Sequence, residues 1–90
     1  MTTHVYISGR VQKVGFRRYV KGHAKKHGVM GWVKNLPDGR VEAVFTGDEE
    51  KVKKLVDISK KGPFLASVKD VEVDWNHETT DEVFDFLITR

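Results

Sequence analysis

No cysteine occurs anywhere in the 90 residues of this chain. A disulfide framework, a thiolate metal site and any reaction needing a thiol nucleophile are excluded. The absence also fits a reducing compartment, so a cytoplasmic location is the expectation. Long apolar runs are missing too. The N-terminal MTTHVYISG lacks the core of a signal peptide, and no window reaches the ~18 apolar residues of a membrane span. No membrane partner is expected. Neither sign of charge dominates: 16 Lys and Arg against 13 Asp and Glu leave a formal charge of +3. That excess admits nucleic acid but suits a small anionic substrate equally well. Histidine is sparse, and only His23 and His27 stand at an i, i+4 spacing, with no third ligand in view. Neither a metal nor another cofactor is expected.

The sequence also lacks internal repeats, low-complexity tracts and linkers. One domain covering residues 1–90 is expected, and a monomer. A chain of this size buries roughly 60–65% of its unfolded surface, enough for one core.

The elements that build that core are legible from periodicity. His4 to Ser8 alternates, with Val5 and Ile7 on one face, and predicts a half-buried strand. Phe16 to His27 predicts a helix. Phe16, Val20, Ala24 and His27 form its stripe, Tyr19 and His23 flank it, and Gly28 is placed to terminate it. Gly22 inside the helix costs about 1 kcal/mol relative to alanine, which predicts close packing there. Val29 to Leu36 and Arg40 to Thr46 read as two strands of a hairpin around Pro37-Asp38-Gly39. Asp48 is the expected N-cap of a second helix. That helix buries Val52, Leu55, Val56 and Ser59 and ends at Gly62-Pro63. A fourth strand is expected at Val68 to Trp75, with Val71, Val73 and Trp75 on one face. A last short strand is expected from Val83 to Thr89, with Phe84, Phe86 and Ile88 alternating. Trp32 and Trp75 are expected in the core or half-buried on the sheet.

The order β-α-β-β-α-β plus a terminal strand predicts an α+β, ferredoxin-like sandwich. Two helices should cover one face of a mainly antiparallel sheet, with the third strand between the first and second. The first two strands then run the same way, and their C-terminal ends share one edge of the sheet. Asn35 is thereby brought close to the loop leaving the first strand, though Arg17 lies 18 residues away in sequence.

That loop and the helix start beyond it are GRVQKVGFRR, residues 9–18. A loop from a strand into a helix start presents amide N–H groups without intrahelical acceptors, and the helix dipole adds partial positive charge. Gly9 and Gly15 bracket the loop. Arg17 falls in the first helical turn, and a guanidinium suits two-point binding of phosphate oxygens. The segment reads as a phosphate cradle with an arginine at its lip. Arg10 and Arg18 read as surface charges able to steer anions.

The stretch Gly9 to Arg17 resembles the first signature of the acylphosphatases. Gly31-Trp32-Val33-Lys34-Asn35, followed by Gly39, Val41 and Gly47, resembles the second. The resemblance implies metal-free hydrolysis of acyl phosphates to carboxylate and inorganic phosphate. It implies that Arg17 binds phosphate and that Asn35 orients the attacking water. It also implies that the amides of Gln12, Lys13, Val14, Gly15, Phe16 and Arg17 cradle the phosphoryl oxygens. Inorganic phosphate or sulfate should occupy the same loop. Lys13 stands where the family usually has glycine. If the loop needs a positive φ there, lysine costs about 1–2 kcal/mol; its other expected effect is to bring a cation to the phosphate. An RNA-binding module on the same fold is the alternative. KVGFRRYV, residues 13–20, has a passing likeness to an RNA-binding aromatic motif, but it opens a helix instead of lying on a central strand, so no nucleic-acid partner is expected.

Overall fold

Alternation of small β-branched and aromatic residues drives five segments into one sheet. The computed structural model describes residues 1–76 and 84–89. Its elements are β1 (Thr2–Arg10), α1 (Phe16–Lys26), β2 (Met30–Asn35), β3 (Val41–Thr46), α2 (Glu49–Lys61), β4 (Ser67–Asp74) and β5 (Phe86–Thr89). The sheet order is β4-β1-β3-β2-β5. β3 is antiparallel to both β1 and β2, as expected, so β1 and β2 run the same way. β4 pairs antiparallel with β1, and β5 parallel with β2.

The core lies between the sheet and the two helices. Val5, Ile7, Val33, Val41, Ala43 and Phe45 meet Phe16, Val20 and Ala24 of α1 and Val52, Leu55 and Val56 of α2. β1 is longer than its apolar alternation predicts. Thr2 and Thr3 continue it opposite Thr46 and Phe45, and the buried Thr3 hydroxyl donates to the Trp75 carbonyl at 3.2 Å. A polar residue thus holds an inward position because its hydroxyl has an acceptor. Trp75 itself lies just past β4, half-buried against the core.

Two expectations need correction, and one residue is more buried than its face suggests. Gly22 has nothing within 4 Å of where a Cβ would stand, so it faces open space and does not serve close packing. Val44 alternates with Val41, Ala43 and Phe45 and so lies on the open face, yet it is only 4% exposed. Its neighbours in register are His4 and Trp32, whose rings approach to 6.2 Å between centroids. The final strand begins at Phe86. Phe84 precedes the pairing register and is 84% exposed. The Phe86 N–H is taken by the Asp85 carboxylate at 2.7 Å, while the Asp85 carbonyl accepts from Gly31. Val83 and most of the expected polar loop lie outside the described residues.

Asp48 caps α2 with its backbone: its carbonyl accepts from Val52 at 2.9 Å, and its side chain makes no cap bond. α1 ends in a Schellman motif, Gly28 N–H to Lys25 and Val29 N–H to Ala24. At the far end of α2, a Cβ on Gly62 would stand 3.1 Å from the Phe16 ring. That contact brings the terminus of α2 against the start of α1.

On the open face of the sheet, Glu42 of the central strand lies between Tyr6 and Lys34 in register. Its carboxylate meets His4 Nε2 at 2.7 Å and Lys34 Nζ at 3.5 Å. Lys34 also stands over the Trp32 ring, and Arg40 over Tyr6. Burial pushes the Glu42 carboxyl up, but hydrogen bonds from His4 and Tyr6 and the Lys34 charge outweigh it and hold the group below its ordinary value. The same bond to Glu42, with burial, pushes the Tyr6 phenol up.

Candidate active site

The end of β1 is shaped by a bulge. Ser8 pairs with Asp70 and Gly9 with Val68, leaving Lys69 as the extra residue. A Cβ on Gly9 would stand 2.3 Å from the Ser67 carbonyl oxygen, and its φ is 119°, so only glycine fits. The chain then turns through residues 11–15 into α1. Val11 is buried and Val14 packs against the core, which pins the loop on both sides of Lys13. Lys13 takes φ 62°, the one positive φ at a non-glycine position among the described residues. The expected condition is met, and the backbone there costs about 1–2 kcal/mol. Gly15, at φ 77°, is the residue from which α1 departs. The first turn of α1 has no acid and no side chain caps it, so its N-terminal amides and the helix dipole present uncompensated positive potential.

These segments enclose a cavity of about 260 Å³ lined by Val11, Lys13, Gly15, Phe16, Arg17, Arg18, Asn35 and Ile88. Arg17 and Asn35 therefore line one space, as the topology predicts. Three cationic side chains line it and no carboxylate does, which favours an anion. Among the described residues no ion pair engages Arg17 or Arg18. Asn35 ends β2, and its Oδ1 is buried with no hydrogen-bond partner among the described residues. A buried acceptor left in that state costs about 1–3 kcal/mol. Buried polar atoms in native folds are usually hydrogen-bonded, so this acceptor calls for an explanation.

Two residues of the expected loop set do not line the cavity with their side chains. Val14 turns to the core. The Gln12 side chain turns to the β2–β3 connection, donating to the carbonyls of Leu36 at 2.8 Å and Arg40 at 2.9 Å. Three lining residues escape the sequence reading. Arg18 passes for a surface charge, though adjacency to Arg17 at a helix start is a signal. Val11 is hidden as a core residue. Ile88 could be found only by knowing that β5 runs parallel to β2 and so ends at the same edge.

Among the described residues no group of three His, Cys, Asp or Glu is placed to hold a metal ion. His27 is held below its ordinary value by burial and by the charges of Lys54, Lys51 and Lys26, and those cations also disfavour a metal at His23 and His27. No described helix is long and apolar enough to cross a membrane.

Comparison with known proteins gives a consistent result. The family profile described as Acylphosphatase matches residues 3–88. The chain is 52% identical over 79 residues to a protein named acylphosphatase from Chloroflexus aurantiacus, covering 88% of this chain and 86% of the other. It is 56% identical over 72 residues to one from Thermococcus kodakarensis, with 80% and 79% covered. The crystal structure of an acylphosphatase from Bacillus subtilis superimposes with a TM-score of 0.93 at 35% identity, covering 99% of this chain and 98% of that one.

Proposed function

The chain belongs to the acylphosphatase family and has that family's hydrolase function, and from that premise we propose how its own residues divide the work on a small-molecule acyl phosphate. The phosphoryl group lies in the loop. The amides of residues 12–17 and the Arg17 guanidinium take its non-bridging oxygens, with Lys13 and Arg18 adding positive potential. Asn35 positions a water through its carboxamide. The observation that carries this reading is the buried, unpartnered Asn35 Oδ1 in a residue that shares a cavity wall with Arg17.

The water attacks phosphorus as the bond from phosphorus to the acyl oxygen breaks. The electron pair leaves on the carboxylate, a good leaving group, and the water proton passes to a phosphoryl oxygen. Products are a carboxylate and dihydrogen phosphate. Such a reaction asks for positioning and charge stabilisation, which amides and guanidinium supply. The asparagine cannot titrate near neutral pH, so it orients the water without serving as its base.

The reading carries with it a metal-free, monomeric, cytoplasmic protein with a single domain over residues 1–90. Inorganic phosphate and sulfate are site ligands, and nucleic acid is not a partner. The last point is supported by residues 13–20, KVGFRRYV, which lead into and open α1 instead of lying on a central strand. Acyl phosphate hydrolysis in excess EDTA tests the core of it. Turnover should be unchanged, with phosphate inhibiting competitively. Loss of turnover restored by a divalent metal, or inhibition that leaves apparent KM unchanged, refutes it.

A further inference from the structure

Within the proposed mechanism, the loop holds phosphorus and Asn35 holds the water, yet the two belong to different elements. Asn35 is the last residue of β2, and Leu36 comes immediately after it. The connection to β3 is closed by Leu36 N–H to the Arg40 carbonyl at 2.8 Å and Gly39 N–H to the Leu36 carbonyl at 3.1 Å. Each carbonyl keeps a second lone pair. The Gln12 carboxamide supplies one N–H to each, at 2.8 and 2.9 Å. Both acceptors are carbonyls, so both bonds use the NH₂ end and the amide orientation is unambiguous. Gln12 is itself a member of the loop and sits next to Lys13, whose left-handed backbone must be held against its own preference. Its neighbour Val11 is fixed in the core. No other side-chain hydrogen bond among the described residues joins residues 11–17 to the β2–β3 connection.

We propose that the Gln12 side chain is a positioning residue that clamps the phosphate loop to the β2–β3 turn and thereby sets the distance between bound phosphorus and the water held by Asn35. It touches neither substrate nor water. This inference rests on the roles assigned above to the loop and Asn35. A two-point clamp differs from a single bond in fixing rotation as well as separation, which in-line attack requires. Loss of the clamp leaves the cradle's own amides and Arg17 in place, so phosphate affinity should survive while alignment does not.

The test is a double-mutant cycle of Gln12→Met and Asn35→Ala. It reads kcat, the inhibition constant of inorganic phosphate, and thermal unfolding. Gln12→Met should lower kcat by about tenfold or more, within the ~100-fold range that small misplacements cost. Its phosphate inhibition constant should shift by less than about threefold, since binding and alignment are separate demands. In the Asn35→Ala background the same substitution should lower kcat by less than about twofold, because there is no oriented water left to misalign. An unchanged kcat with a lower melting temperature makes Gln12 structural only and overturns the proposal. Equal losses in both backgrounds overturn it as well, as does a parallel rise in the phosphate constant, which would assign Gln12 to the cradle. If Gln12→Met does not fold, Gln12→Asn, neutral but one methylene too short to reach both carbonyls, takes its place and the same outcomes apply. An Asn35→Ala single variant with normal kcat would instead sink the role given to Asn35, and the cycle separates the two failures.

Discussion

On the open face of the sheet, Glu42 meets both His4 and Lys34, and aromatic rings sit beneath Lys34 and Arg40. At the loop end, Arg17 and Arg18 have no ion pair among the described residues, and the Asn35 Oδ1 has no donor. Both regions are rich in charge and both lie over the same sheet. In the first, Glu42, His4, Lys34 and Arg40 are each answered by another side chain. In the second, the chain accepts backbone strain at Lys13 and Asn35 Oδ1 has no partner among the described residues, the features on which the proposed binding of an anion and a water rests. Natural cores tolerate such defects where function requires them. Substitutions in the two regions should therefore separate activity from stability.

The largest effect is expected at Arg17. Arg17→Ala should reduce kcat/KM by about 10³-fold or more, the scale on which arginines act in phosphoryl transfer. Arg17→Lys should recover little, since a point charge cannot replace a planar fork. Steady-state kinetics with an acyl phosphate decide this, and full activity in either variant refutes the assignment.

Asn35→Ala comes next. The expected loss in kcat is roughly 10²-fold, as for removal of one critical transition-state contact. KM should change little, because the loop and Arg17 hold the phosphate. Folding should persist, because Asn35 lies at the end of β2 and not among the core residues. Circular dichroism alongside kinetics checks both halves. A folded variant with near-normal kcat means that Asn35 merely shapes the strand end before Pro37.

Lys13→Gly works in the other direction. Relief of about 1–2 kcal/mol of left-handed strain, less glycine's ~0.5–1 kcal/mol of extra entropy, should stabilise the fold by about 0.5–1 kcal/mol. The melting temperature should rise by ~2–8 °C. If the Lys13 ammonium contributes to phosphate binding, the inhibition constant of phosphate should rise in the same variant. A melting temperature that falls would show that the lysine side chain makes a stabilising contact outweighing its backbone.

The smallest effect belongs to the sheet face. Glu42→Gln should leave kcat unaltered and cost about 1–2 kcal/mol at neutral pH, as for loss of a charge-assisted hydrogen bond. The sign of its pH dependence is set by the depressed folded value of the carboxyl. The contribution is fully present above the ordinary value of 4.5 and disappears as pH falls through the lower folded value. Wild type and variant should therefore converge in acid. Stability curves that stay parallel down to strongly acidic pH would detach Glu42 from its partners.

The fold was largely legible because alternation and helical stripes coincide with burial. Val5 and Ile7 are buried, as are Val41, Ala43 and Phe45, and so is the stripe of α2. The pairing of Arg17 with Asn35 was legible too, because the order of elements determines strand direction. The Lys13 departure flagged a positive φ that the backbone indeed adopts. The features that stayed hidden depended on partners. Thr3 gives no apolar signal until the Trp75 carbonyl is beside it. Val44 is buried on the open face between His4 and Trp32 in register, neighbours that its own strand cannot reveal. Gln12 reads as one more loop amide, and its side-chain role requires the turn that it grips.

The bulge at Lys69 has a consequence that reaches beyond a single molecule. β4 is one border of the sheet, and a border strand offers free backbone groups on which a second chain could add. A regular, apolar border would invite that addition. Here the extra residue breaks the repeat and puts a lysine into it, while Asp70, Glu72 and Asp74 are exposed along the same strand. The opposite border, β5, is only 4 residues long. The irregularity beside Gly9, where the chain leaves β1 for the loop of residues 11–15, also makes one border of the sheet a poor template for intermolecular β-pairing, so one local distortion both turns the chain and discourages fibrous self-assembly.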